Sequence, residues 1–283
     1  MYKKIGLALA FSPRCKAMLS EAYRLKKLFD ADLYCIHIGP KGRAEEEFLD
    51  DVLDKTGINQ DELIIFWEEG NPFRKISAIC KRENIDLLIA GALQKENLFN
   101  FYIGSIARKI IRKASCSVLM LINPSEDPKS FKKIVMNGSD GAQDLKTIQK
   151  GIKVAHLDNA QQAYVFKDIH GYGLSLMMST EESEAEFTER RRVLIQQEIE
   201  ETNDLLTSID TFDVNINIKI AGGKEGYELK KFVQKIHADL LVVRAPERKL
   251  GLFDRIFPHY LEVIMSDLPS NLLIDHNVTS WKI

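Results

Sequence analysis

Between Leu87 and Ser117 the chain reads LLIAGALQKENLFNFYIGSIARKIIRKASCS, and the residues best suited to hold a ligand lie in this stretch. Leu87 to Ala90 is an unbroken apolar run, as a strand buried on both faces requires, and it ends at Gly91, where a backbone without Cβ can turn sharply. A polar loop containing Gln94 follows. Gly104-Ser105 then opens an amphipathic helix with Ile106, Ala107, Ile110, Ile111 and Ala114 on one side and Arg108, Lys109, Arg112 and Lys113 on the other. Ser105 is expected as its N-cap. A strand that passes such a loop to a helix N-terminus makes an anion site, because the first-turn N–H groups lack intrahelical acceptors and the dipole is positive there. Phosphate is the expected guest, held by the N–H groups of Gly104, Ser105 and Ile106.

The elements that would position this loop alternate strictly. Strands are expected at Lys4 to Ala10, Asp32 to Ile38, Leu63 to Glu68, Asp86 to Ala90 and Ser117 to Leu121. Helices are expected between them, at Cys15 to Phe29, Glu45 to Leu53, Phe73 to Glu83 and Ser105 to Ala114. Such alternation predicts an α/β fold with a doubly wound parallel sheet, five strands in the order 3-2-1-4-5, and helices on both faces. Asn123 to Ser130 holds two prolines, Pro124 and Pro128, and almost no apolar residue, so residues 125–130 read as a linker.

Beyond the linker the pattern restarts at Lys133-Ile134-Val135, in the place of Lys4-Ile5-Gly6. Gly70 and Gly223, Asp86 and Asp239, and Leu121 and Ile274 are each 153 positions apart, so the second halves of the two copies keep one register. The chain therefore divides into a first domain at 1–124 and a second at 131–283. The second copy carries extra residues at 170–209, with a Met-rich turn at Leu174 to Met178 that could serve as a lid and a long charged helix at Glu182 to Leu206. In the same register Gly91 becomes Arg244, Gln94 becomes Glu247, Gly104 becomes Phe257 and Ser105 becomes Pro258. The second copy has lost the anion loop.

Composition narrows the function classes. A formal net charge of −2 argues against a general nucleic-acid binder, and no apolar run is long enough to cross a membrane. The expected location is the cytoplasm. Four cysteines without a regular spacing, and histidines without an i, i+3 or i, i+4 partner, give no disulfide framework and no metal site. No nucleophile, base and acid can be placed together at the strand ends, so a non-catalytic role is expected.

The spacing Gly91, two residues, Gln94, nine residues, Gly104-Ser105 resembles the nucleotide loop of the universal stress protein family, in which Gln94 would be a glycine. The resemblance extends over the whole chain as a tandem member. It implies an adenine nucleotide, ATP or AMP, bound weakly in the first domain alone, with Gly91, Gln94, Gly104, Ser105 and Ile106 around the phosphates and Ile38 against the base. The family's Asp at the end of the first strand is replaced by Ala10, and a Gln at a position needing φ > 0 would add a cost on the order of 1 kcal/mol. Family members commonly pair through their last strands, so an intramolecular pseudo-dimer joining Val118 to Ile122 with Leu272 to Ile274 is expected, with a homodimer as a further option. Three functions remain open: a stress-response or regulatory protein acting through an unknown protein partner, a nucleotide sensor, or a binder of another small or lipid-like molecule.

Overall fold

The computed structural model describes residues 1–94, 101–170, 184–246 and 257–276. Among these the chain forms two compact units. The first comprises Met1–Ser130 with Ala245–Phe257 and Ser266–Ile283; the second comprises Phe131–Arg244 with Pro258–Met265.

The first unit starts with β1 (Lys4–Leu9), α1 (Cys15–Phe29), β2 (Asp32–Ile38), α2 (Arg43–Thr56), β3 (Leu63–Glu68) and α3 (Pro72–Arg82). It continues with β4 (Leu87–Gly91), the short strands β5 (Leu93–Gln94) and β6 (Phe101–Tyr102), α4 (Ser105–Lys113) and β7 (Ser117–Leu121). Its main strands are all parallel in the order β3-β2-β1-β4-β7, the order the alternation predicts. Ile5 stands opposite both Leu33 and Leu87, all three at most 1% exposed, and the next residues Tyr34 and Leu88, on the other face, are buried as well, so the centre of this sheet is covered on both faces. Pro72 at the first turn of α3 gives up an N–H that no helix would use, and the Asn71 side chain accepts from the Arg74 N–H at 3.1 Å. The chain order reverses between β1 and β4, and their carboxyl ends therefore border a crevice.

The second unit contains β8 (Lys133–Asn137), α5 (Leu145–Leu157), β9 (Gln162–His170), α6 (Glu184–Thr207), β10 (Ile216–Gly223), α7 (Tyr227–Ile236), β11 (Leu240–Arg244) and most of α8 (His259–Ser266). Its strands are parallel in the order β10-β9-β8-β11. The helix expected within the inserted segment is α6, which at 24 residues exceeds the 15 of α1. It is fastened to the sheet by Lys167 of β9, whose ammonium, only 11% exposed, pairs with Glu198 and lies 3.8 Å from Glu201. The turn Leu174 to Met178 lies outside the described residues, as does Glu247.

The last strand, β12 (Asn271–Asp275), belongs to the first unit, although the register of the repeat assigns it to the second copy. It runs antiparallel to β7, with Leu272 opposite Met120 and Ile274 opposite Val118. All five residues of β7 are buried, so that strand cannot serve as an open edge. Polar bonds fix the register: the Ser117 hydroxyl donates to Asp275 Oδ1 at 2.9 Å, and the Ile122 N–H donates to Asn271 Oδ1 at 3.0 Å.

Both units repeat one set of bonds at the amino ends of their strands. The Asp86 carboxylate accepts from the backbone N–H groups of Lys3 and Lys4, at 2.8 and 3.2 Å, and the Asp239 carboxylate accepts from those of Lys132 and Lys133, both at 2.8 Å. The Lys4 ammonium donates to the Glu83 carbonyl, and the Lys133 ammonium to the Ile236 carbonyl. These bonds tie β1 to β4 and β8 to β11 at the end opposite the crevice.

Candidate functional site

The helix start is built differently from the sequence expectation. Gly104 is the N-cap, with an extended backbone at φ −69°, and Ser105 is the first helical residue with no side-chain capping bond. The first intrahelical bond runs from the Arg108 N–H to the Gly104 carbonyl at 2.9 Å. The N–H groups of Ser105 and Ile106 therefore precede it, and both residues are exposed. Glycine suits position 104 for a reason unrelated to phosphate: a Cβ there would come within 2.7 Å of the Leu93 side chain.

Gln94 departs from expectation in a second way. It lies in β5, paired with Phe101 of the antiparallel β6, and is not among the residues with positive φ. The conformational cost of a Gln at this position does not arise. Gly91 is the exposed last residue of β4, and the next N–H, of Ala92, donates to the Leu121 carbonyl at 2.8 Å.

The ends of β1 and β2 form a separate cleft of about 440 Å³. Ile38 lines it beside Ala10, Phe11, His37 and Ile76, with Glu45 as the charged side chain of the lining. Phe11 stacks on the His37 ring with centroids 4.0 Å apart and meets the Trp67 ring edge-on at 5.4 Å. His37 Nδ1 lies 3.2 Å from the Leu9 carbonyl, which fixes the ring. Of the six residues assigned from sequence, Ile38 alone lines this cleft; Gly91, Gln94, Gly104, Ser105 and Ile106 belong to the neighbouring strand, hairpin and helix start. Sequence reasoning missed the aromatic wall, whose signal was a ring-bearing residue at or just beyond the end of each of the first three strands.

Arg14, also missed, holds the two segments that frame the crevice. Its guanidinium donates to the carbonyls of Ala92 and Ile122, both at 2.8 Å, and lies 5.7 Å from the Phe101 ring centroid. Burial lowers its pKa. Its donors are directed at the ends of β4 and β7, which it ties together.

The corresponding place in the second unit is filled by the protein. Arg244, in the register of Gly91, donates from Nε to Asp144 Oδ1 at 2.9 Å and from a terminal nitrogen to Asp140 Oδ2 at 2.8 Å and Gln143 Oε1 at 3.0 Å. Burial pulls the guanidinium pKa down, but the bonds to Asp140 and Asp144 outweigh it and the net shift is upward. The space left beside these groups, lined by Asn137, Ser139, Asp168 and Tyr260 among others, is about 10 Å³, room for one water at most. Pro258 has no N–H to offer, and its carbonyl accepts from the Leu261 and Glu262 N–H groups at the start of α8.

Among the described residues of these sites no nucleophile is set against a base. The Cys15 thiol is pushed up to about 11 and Cys35 to about 12, first of all by burial. Among the described residues no group of three or more His, Cys, Asp or Glu could hold a metal ion, and no helix is long and apolar enough to cross a membrane.

This combination of parallel sheet, crevice and glycine-flanked helix start is that of a known class. Residues 1–121 match the universal stress protein family. A universal stress protein of Methanocaldococcus jannaschii is 25% identical over 146 residues, which cover 45% of this chain and 86% of the relative. Among solved structures, a putative universal stress protein of Pseudomonas aeruginosa superposes with a TM-score of 0.69 at 16% identity, covering 96% of this chain and 92% of that one. Another, from Archaeoglobus fulgidus, gives 0.61 at 11% identity, covering 96% and 97%. These likenesses establish the α/β fold along the chain.

Proposed function

We propose that the protein is a non-catalytic, cytoplasmic stress-response regulator whose first unit receives an adenine nucleotide, ATP or AMP, and which signals by contact with a protein partner. The observation that carries this reading is the asymmetry between the units: a cleft of about 440 Å³ at the strand ends of the first, and the guanidinium of Arg244 between two carboxylates in the second. The base would lie against Ile38 and Phe11, and the phosphates would meet the N–H groups of Gly104, Ser105 and Ile106. A second reading, a neutral small or lipid-like ligand, is favoured by the apolar lining and by Glu45 as its charged member.

Calorimetric titration of ATP and AMP tests the proposal. Binding is expected to be weak in the wild type, since Ala10 supplies no side-chain acceptor for a ribose or base. Ala10→Asp should tighten it by up to about tenfold, or ~1.4 kcal/mol. Ile38→Trp, which fills the cleft, should remove the heat. Gln94→Gly should change little, because Gln94 carries no strain to relieve. If neither the wild type nor Ala10→Asp gives heat with either nucleotide, while a neutral aromatic such as adenosine does, the second reading replaces the first.

A further inference from the structure

The first unit holds another cavity, of about 260 Å³, on the flank of α3 and α4, far in sequence from the cleft residues of β1 and β2. Cys80 from α3 and Cys116 just ahead of β7 both line it, together with Ser77, Lys81, Lys113 and Ser115. The two thiols are 4% and 1% exposed, so solvent reaches them through this cavity rather than across an open surface. The two thiols also influence each other: hydrogen bonding with Cys80 is the leading cause that raises the Cys116 pKa well above the ordinary thiol value, with burial next. Cys15 and Cys35 provide the contrast, since burial leads in both of their shifts and no thiol–thiol hydrogen bond contributes.

We propose that Cys80 and Cys116 form a modification site at which a peroxide-class oxidant generates an intramolecular disulfide. Both thiols line one cavity, which sets them on the same small space and admits a small reagent to them. In the first step one thiol loses its proton and its sulfur attacks the peroxide. The O–O bond breaks, a sulfenic acid forms, and the departing hydroxide takes up the proton and leaves as water. The partner thiol then displaces the sulfenic hydroxyl; the S–O bond breaks, the S–S bond forms, and a second water leaves. Two thiols lose two electrons, which the peroxide accepts.

The bond would close a covalent loop from residue 80 to residue 116. That loop contains β4, β5, β6 and α4, and hence Gly91, Gln94, Gly104, Ser105 and Ile106. Oxidation would therefore clamp the segment that carries the helix start, whether or not a nucleotide binds there.

The test uses the full chain. The reduced protein is treated with hydrogen peroxide, unfolded, alkylated at its remaining thiols, digested and mapped by mass spectrometry. Two of the four thiols should be lost, and a peptide containing Cys80 should be joined to one containing Cys116. Cys80→Ser and Cys116→Ser should each abolish the link, with a dimedone-trapped sulfenic acid at the remaining thiol of the pair in at least one of the two variants. A variant with both Cys15→Ser and Cys35→Ser should keep the link. Four alkylatable thiols after treatment, a Cys15–Cys35 link, a link between two chains, or sulfinic and sulfonic acids alone would each overturn the proposal, and the wild-type map decides if a variant fails to fold.

Discussion

Arg244→Met should destabilise the second unit by about 3–5 kcal/mol, the usual cost of removing one partner from a buried ion pair. The Asp144 side chain is 2% exposed and Arg244 15%, so truncation leaves a carboxylate with little water to solvate it. Asp140 is 41% exposed and should contribute little to the loss. The pH dependence separates charge from packing. Burial, the largest influence, raises the Asp144 pKa above the ordinary value, while the Asp140 backbone N–H, donating at 2.9 Å, and the guanidinium both pull it down. A carboxyl raised in the folded state contributes stability below its unfolded pKa, and this is lost as pH rises through the folded pKa. Without the guanidinium the folded value climbs further, so the variant's deficit should be largest near neutrality and shrink as pH falls toward the ordinary carboxylate range of about 4.

Urea unfolding of both proteins at several pH values measures this difference, with the slope of the transition checked for two-state behaviour. A deficit that is the same at every pH would point to lost packing of the Arg side chain. The double variant Arg244→Met with Asp144→Leu should recover most of the stability, because replacing both members of a buried pair by apolar groups is often neutral. The same measurement bears on function. If the double variant is stable and still binds no nucleotide in the second unit, loss of the helix-start donors at Phe257 and Pro258 is sufficient to silence it, and Arg244 serves stability alone.

The fold was legible wherever burial imposes a pattern. Strands covered on both faces must be apolar throughout, which is why Leu87 to Ala90 and Leu240 to Val243 stand out and why the order of the first sheet followed from alternation alone. The substitution of Gly91 by Arg244 was legible from the register between the copies. Its structural role was not, since its partners Asp140 and Asp144 lie about a hundred positions earlier and ion pairing leaves no periodic trace. Capping shifted by one residue because Gly and Ser are both favoured at a helix start, and the carbonyl of Gly104, rather than the hydroxyl of Ser105, begins the ladder. The penalty assigned to Gln94 assumed a left-handed backbone, whereas the chain there forms a hairpin that any residue can enter. For β12 the sequence supplied an apolar segment in need of a partner, and the pairing with β7 follows from two strands that each bury their faces.

Asp86→Ala and Asp239→Ala should each cost about 2–3 kcal/mol, because each removes two charge-assisted bonds to backbone N–H groups, one exposed and one half-buried. The two carboxylates occupy one position in two copies of a fold, and each locks the first strand of its unit to the fourth. In the first unit the strand so fixed is β4, which ends at Gly91 and leads to the helix start, so Asp86→Ala should also reduce any nucleotide binding. The Asp239 variant should leave binding unchanged, since β11 ends at the sealed guanidinium of Arg244. Chemical denaturation gives the stability of each variant, and calorimetry in the Ala10→Asp background, where heat is expected to be largest, gives the binding. Asn at either position keeps an acceptor oxygen and should recover part of the loss. Equal stability losses with unequal binding losses would fit one architectural bond used twice and one ligand site used once; binding lost in both variants would locate the site beyond the first unit.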